Sequence, residues 1–256
     1  MKKASGRMIL VLALSLTLSA CQSRTPEDSR AAGARLPEAN AVLTGKIVQL
    51  NDNSCLIAGS GSSDLYTVSS KLAVYDGNNR ASDVSALTEG QNVEVGYSGE
   101  VLTIYPAQPD KPAYIKITGQ GDDLVGFYQG VLEKLWNTDK GLNPASGVLA
   151  FDLSKASNLT DAEKSALIYI VSSSHGLQGV SGTYDELSRQ GYIDRERLYF
   201  KDGMLFNLIL TDAAENSFTF DASKWRSGDG AFFFNGCKAV KDETGWSYTV
   251  GSEAIS

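Results

Sequence analysis

Gly119-Gln120-Gly121-Asp122-Asp123 divides this chain into two parts of different character. The stretch is polar and glycine-rich, and it ends on a helix N-cap signal. Downstream, Leu124 to Trp136 places Leu124, Tyr128, Val131 and Leu135 on one stripe, which predicts an amphipathic helix. Gly147 to Leu153 (GVLAFDL) reads as a strand. Thr160-Asp161-Ala162-Glu163 is a capping box. The helix it opens carries Ala166, Leu167, Ile170 and Val171 inward and stops at Gly176. Thr183-Tyr184-Asp185-Glu186 is a second capping box, for a short helix ending near Gly191. The chain is β thereafter: Arg197 to Phe200, a hairpin signal at Lys201-Asp202-Gly203, then Met204 to Thr211, Ser217 to Asp221, Ala231 to Val240 and Trp246 to Gly251. Residues 122–256 are expected to form an α+β domain with helices on one side of an antiparallel sheet of four or five strands.

Upstream of the divide, the runs are short and β-rich. Val42 to Leu50, Ser54 to Ala58, Leu65 to Ser69, Asn92 to Tyr97, Glu100 to Tyr105 and Ala113 to Thr118 are separated by turn-formers such as Asn51-Asp52-Asn53 and Gly59-Ser60-Gly61. Ser82 to Leu87 reads as a short helix or turn capped by Ser82. Val93, Val95 and Tyr97 alternate and give one buried face. Short strands spaced this closely imply a small closed β-barrel over residues 41–118.

Leu87-Thr88-Glu89-Gly90-Gln91-Asn92-Val93-Glu94-Val95, with Tyr97-Ser98-Gly99-Glu100-Val101 and Tyr105-Pro106-Ala107, resembles an OB-like barrel module of uncharacterised lipoproteins from Gram-positive bacteria. The segment Lys224-Trp225-Arg226-Ser227-Gly228-Asp229-Gly230-Ala231, with Trp246-Ser247-Tyr248 and Ile255-Ser256, resembles the C-terminal α+β domain of Gram-positive surface lipoproteins, and similar segments occur beside membrane-bound peptidases. The overall pattern of this second part is similar to NTF2-like or cystatin-like sheets. Neither carries a catalytic signature.

The N-terminus has the form of an export address. Lys2, Lys3 and Arg7 precede the apolar run Met8 to Leu18, and Leu18-Ser19-Ala20-Cys21 matches a lipobox. Residues 1–20 are expected to be a signal peptide, with diacylglyceryl and further acyl (palmitate-type) chains anchoring Cys21 to the membrane. Residues 21–40 read as a lipidated flexible tether, polar and broken by Pro26 and Pro37. Such a tether spans about 25 Å, with an extended limit of about 60 Å. Loss of Lys2, Lys3 and Arg7 takes the formal charge from −7 to −10. An acidic chain argues against nucleic acid as a partner, because phosphate binding needs clustered Lys and Arg. Besides Cys21 the cysteines are Cys55 and Cys237, both in apolar strand-like runs. An exported protein could pair them, but two separately buried thiols fit these contexts better.

The sequence holds little recognisable chemistry. His175 is the single histidine and sits at a helix end, where a cation meets the last carbonyls. There is no G-x-S-x-G, S-x-x-K, H-E-x-x-H, C-x-x-C or P-loop pattern, so no catalytic residue, cofactor or metal site is expected. Asp76-Gly77-Asn78-Asn79 lacks calcium-loop spacing and reads as a turn. Asp122-Asp123, Asp161/Glu163 and Asp185-Glu186 all stand at helix starts and read as caps. The one distinctive surface candidate is Trp225, Arg226, Gly228 and Gly230: an aromatic anchor, a guanidinium fork and close backbone approach. The alternative is that Trp225 packs under the sheet and the glycines make a tight turn. The expected function is a non-catalytic binding or scaffold lipoprotein on the extracytoplasmic face of the membrane, with an envelope protein or peptide as partner. The alternative is an envelope hydrolase or isomerase with a carboxylate-lined pocket in the C-terminal domain, which requires a buried acid of raised pKa. A sensor part for a neighbouring membrane peptidase is a third option, implied by resemblance alone.

Overall fold

The computed structural model describes residues 35–145 and 147–256. The leader, Cys21 and the first part of the tether lie outside the described residues. None of the described helices is long and apolar enough to cross a membrane.

The chain before the divide forms β1 (Ala41–Asn51), β2 (Ser54–Gly59), β3 (Leu65–Ser69), β4 (Ala73–Tyr75), β5 (Ala81–Ser82), β6 (Asn92–Tyr97), β7 (Val101–Leu102), β8 (Gln108–Pro109) and β9 (Pro112–Gly119). Seven of these make one sheet in the order β3-β2-β1-β6-β9-β4-β5, and β7 and β8 pair as a separate arm. The ladders form an open path and not the closed barrel expected. Ser70 to Leu72 break the third strand, so β3 pairs with β2 while β4 pairs in parallel with β9. Two local readings also change. The cap of the short helical turn is Asp83, which accepts from Ser85 N, rather than Ser82. Glu100 to Tyr105 is not a full strand, because β6 already has β1 on one edge and β9 on the other.

After the divide come α1 (Leu124–Asn137), β10 (Val148–Lys155), α2 (Asp161–Ser174), β11 (Gln178–Ser181), α3 (Tyr184–Arg189), β12 (Ile193–Asp194), β13 (Tyr199–Phe200), β14 (Gly203–Ala214), β15 (Ser217–Ser227), β16 (Gly230–Asp242), β17 (Gly245–Thr249) and β18 (Ser252–Ile255). Asp123 caps α1 through Gly126 N, and both capping boxes close as their sequences require. Gly176 follows α2 at φ 64°, the left-handed turn that ends a helix without a Cβ penalty. The fold is α+β. Its second sheet has nine strands and is mixed, not antiparallel throughout: β10 pairs in parallel with both β11 and β14. For β11 the reason is α2, a crossover that carries the chain from β10 to a parallel neighbour. Lys201-Asp202-Gly203 does not close a hairpin either. β13 pairs with β12 and β15, while β14 takes β10 and β15 as its neighbours.

The two segments share a core. In β2 the alternation buries both faces. Cys55 and Ile57 join Leu43, Ile47, Val95 and Ile115 inside the first sheet. Leu56 and Ala58 turn the other way, to Val48, Leu65 and the helices. Alternation along β1 puts Ile47 and Val48 in opposite clusters, and a register shift between Ile47 and Gln49 brings Leu50 back to the Ile47 side, opposite Cys55. Beyond α1 and α2, Phe206, Phe220, Phe232 and Phe234 of the second sheet complete the larger cluster.

Candidate functional site

The Trp225–Gly230 segment is committed to the fold. Trp225 is half-buried and meets Tyr184 edge-on, with ring centroids 5.3 Å apart. The Arg226 guanidinium donates to Leu142 O at 3.4 Å and Asn143 O at 3.3 Å. Gly228 N donates to Leu198 O, and Gly230 pairs with Ser227 across the turn. Lys224 is fully buried, and its ammonium donates to Thr138 O, to Asp139 O at 3.0 Å and to Asn143 Oδ1 at 2.9 Å. The unsatisfied carbonyls at the end of α1 thus find donors from β15. Burial pushes this lysine down to about 8.

His175 lies at the end of α2, as its position suggests, but it is not merely solvated. Its ring stacks on Trp136 at 3.8 Å, and Nε2 lies 3.0 Å from Glu133 Oε1. Ser174 Oγ donates to the same carboxylate oxygen, so no serine is paired with this imidazole among the described contacts.

A cleft of about 700 Å³ opens beside the divide, lined by Glu89, Asp123, Phe127, Lys241, Glu243 and Trp246 among others. Asp123 is the acid of interest here. Burial raises its pKa, against the lowering effects of the Gly126 amide and of Lys46. Trp246 Nε1 is buried with no partner among the described residues. Lys241 is ion-paired with Asp122. Among the described residues no three His, Cys, Asp or Glu side chains converge as a metal site.

A second concavity runs along the outer edge of β11, and no sequence motif marks it. Its first part, about 580 Å³, lies between the β7–β8 arm and β3, lined by Leu65, Tyr66, Leu102, Ile104 and Tyr105 with Ser165 of α2. Tyr105 and Ser165 also line the next part, about 400 Å³, with Ile168, Tyr169, Leu177, Gly179 and Ser181. Ser181 in turn lines a third part of about 220 Å³ with Asp152, Lys164, Thr183 and Glu186. Tyr105 and Ser165 border the first two parts and Ser181 the last two, so the three adjoin in a row, termed the groove. Tyr105 and Tyr169 stand edge to face at 5.7 Å, and Tyr105 is 65 % exposed. Gly179 allows the tight floor, since a Cβ there would stand 2.7 Å from both Ile168 Cγ2 and Ser172 Oγ.

The only advance signals for this groove lie in two places. Val101 to Tyr105 is an apolar run of which only Val101 and Leu102 pair, with β8, and α2 carries Ile168 and Tyr169 outside its inward stripe. Comparison with family models, with curated proteins and with solved structures finds no match to this chain.

Proposed function

We propose that this chain is a surface lipoprotein of the Gram-positive type, anchored at the extracytoplasmic membrane face through lipid on Cys21, whose folded part is a non-catalytic binding module of the cell envelope. The address rests on the basic start, the apolar run and Leu18-Ser19-Ala20-Cys21. The observation that carries the binding reading is the groove along β11. Its central part is lined by neutral side chains only, Tyr105, Ser165, Ile168, Tyr169 and three further serines among them. Such a wall offers apolar area and hydrogen bonds but no acid–base pair, which is the chemistry of recognition.

Residues 41–118 are read within this proposal as OB-like. β4 follows β3 after a short turn, so the path that leaves β3 through β2, β1, β6 and β9 returns to β4 around one apolar cluster. The anchor is tested by metabolic labelling with a tagged palmitate. Label on the intact chain and its loss in Cys21→Ser, with release of the protein from the membrane fraction, supports the reading. Label retained in Cys21→Ser overturns it.

The second reading, an envelope hydrolase or isomerase, is favoured by one observation: Asp123 combines a raised pKa with a place in the large cleft. Its side chain already caps α1. If it also served as a general acid, Asp123→Asn would abolish turnover of a model ester or glycoside while leaving the fold intact. Absence of turnover in the unsubstituted protein removes this reading for those substrates.

A further inference from the structure

β11 is the outermost strand of the second sheet and pairs only with β10 among the described residues. Gln178 N donates inward to Gly147 O at 3.2 Å, and Gly182 N to Phe151 O at 3.0 Å. In a parallel ladder alternate residues address the same neighbour, so the peptide groups of Gly179 and Ser181 between them face away from β10. Those two residues are the ones β11 contributes to the groove. The groove therefore presents a row of free N–H and C=O groups along its floor and aromatic area on its wall.

An occupant that satisfies both must have an extended backbone and an apolar side chain. Backbone pairing with an exposed strand supplies affinity, and alternate side chains entering pockets supply selectivity. Charge narrows the class further. The tyrosine end carries one ionisable carboxylate, Asp64, and the centre none. At the opposite end Asp152 and Glu186 line the wall with the single cation Lys164, which is ion-paired with Asp161 at 3.8 Å. Hydrogen bonding by the Thr183 backbone and hydroxyl holds Glu186 below the usual carboxylate range, so it is ionised at neutral pH. A basic side chain is the complement at that end. The formal charge of −7 opposes a second copy of this chain as the occupant.

We propose, building on the binding-module reading, that the groove takes an extended peptide which adds as a strand to the free edge of β11. It lays an apolar side chain against Tyr105 and Tyr169 and a basic one toward Asp152 and Glu186. The peptide's backbone supplies the partners that Gly179 and Ser181 lack. Ser181→Pro deletes one outward N–H at an edge position where proline is tolerated, and leaves the inward ladder intact.

The test is selection from a random heptapeptide library on the intact chain, followed by amide hydrogen exchange with the selected peptides. The expected winners pair an apolar residue with Lys or Arg and slow exchange at Gly179 and Ser181. Ser181→Pro is expected to weaken them about fivefold, the worth of one backbone hydrogen bond. Tyr105→Ser, on an exposed side chain, weakens them without touching the sheet and covers the case in which the proline variant does not fold. N-methylation of alternate peptide amides is expected to abolish binding. Winners that bind in the groove but tolerate N-methylation overturn strand addition while leaving the binding-module reading in place. Winners indifferent to both substitutions, or no winners, overturn the proposal, as does protection of Gly179 and Ser181 that appears with protein concentration alone, which would mark self-association.

Discussion

Lys46 of β1 and Glu163 of α2 form an ion pair at 2.5 Å across the seam between the first sheet and the helices. The same carboxylate accepts from Thr160 N through its other oxygen and so closes the capping box of α2. One side chain, 4 % exposed, both starts a helix and ties it to a strand more than a hundred residues earlier in the chain.

Removing one partner of a fully buried pair costs about 3–5 kcal/mol, and Lys46 retains some solvent, so Glu163→Gln is expected to cost about 2 kcal/mol. Glu163→Ala should cost about 1 kcal/mol more, because the cap is lost as well. Urea unfolding midpoints at constant slope measure both. Equal losses in the two variants would show that the cap contributes nothing.

Leu56 is buried on the helix side of β2. Leu56→Ala is expected to destabilise the protein by about 2–5 kcal/mol. Because its cluster joins both segments, unfolding should stay a single transition by circular dichroism and by tryptophan fluorescence. All three tryptophans, Trp136, Trp225 and Trp246, lie after the divide, so a fluorescence transition left unmoved by Leu56→Ala would mean that the segments unfold independently.

Lys224 is held by burial at about 8, below the ordinary lysine range. Below about pH 8 the lysine is charged in both folded and unfolded chains, and the folded state carries the full cost of burying the charge. Between about pH 8 and the ordinary lysine range the unfolded chain holds the extra proton, so this residue makes stability rise with pH. Lys224→Met should flatten that rise and also leave the Thr138 and Asp139 carbonyls without their donor. Denaturant unfolding from pH 7 to 10 reads the slope, and an unchanged slope in the variant would remove Lys224 as its source.

Cys55 and Cys237 are free, buried and in different apolar clusters, and burial pushes each thiol up to about 11. In a Cys21→Ser background neither should react with a thiol reagent under native conditions at pH 8, and both should react in denaturant. Mass spectrometry counts the adducts. Protection that persists in denaturant until reductant is added would reveal a disulfide.

Local signals in this chain proved strong where a residue's own neighbours decide its conformation. Thr160/Glu163 and Thr183/Glu186 read as capping boxes and form them, and Gly176 ends its helix. The alternation of β6 and the extents of β3 and α1 follow from periodicity alone. Signals that depend on a distant edge misled. Lys201-Asp202-Gly203 has hairpin composition, yet β14 meets β10 in parallel and β15 on its other edge, a long-range pairing invisible from the turn itself.

The sequence by itself determined most element types, both capping boxes and the α+β class, because each depends on contacts within a few residues or on composition. Tertiary structure alone decided three things. It broke the path of the first sheet at Ser70–Leu72, it spent Arg226 on Leu142 and Asn143, and it brought Tyr105, Tyr169, Gly179 and Ser181 to one groove. Those four residues come from the loop after β7, from α2 and from β11. Their meeting depends on which strand edge is left unpaired, and that is settled by long-range packing and not by any local preference.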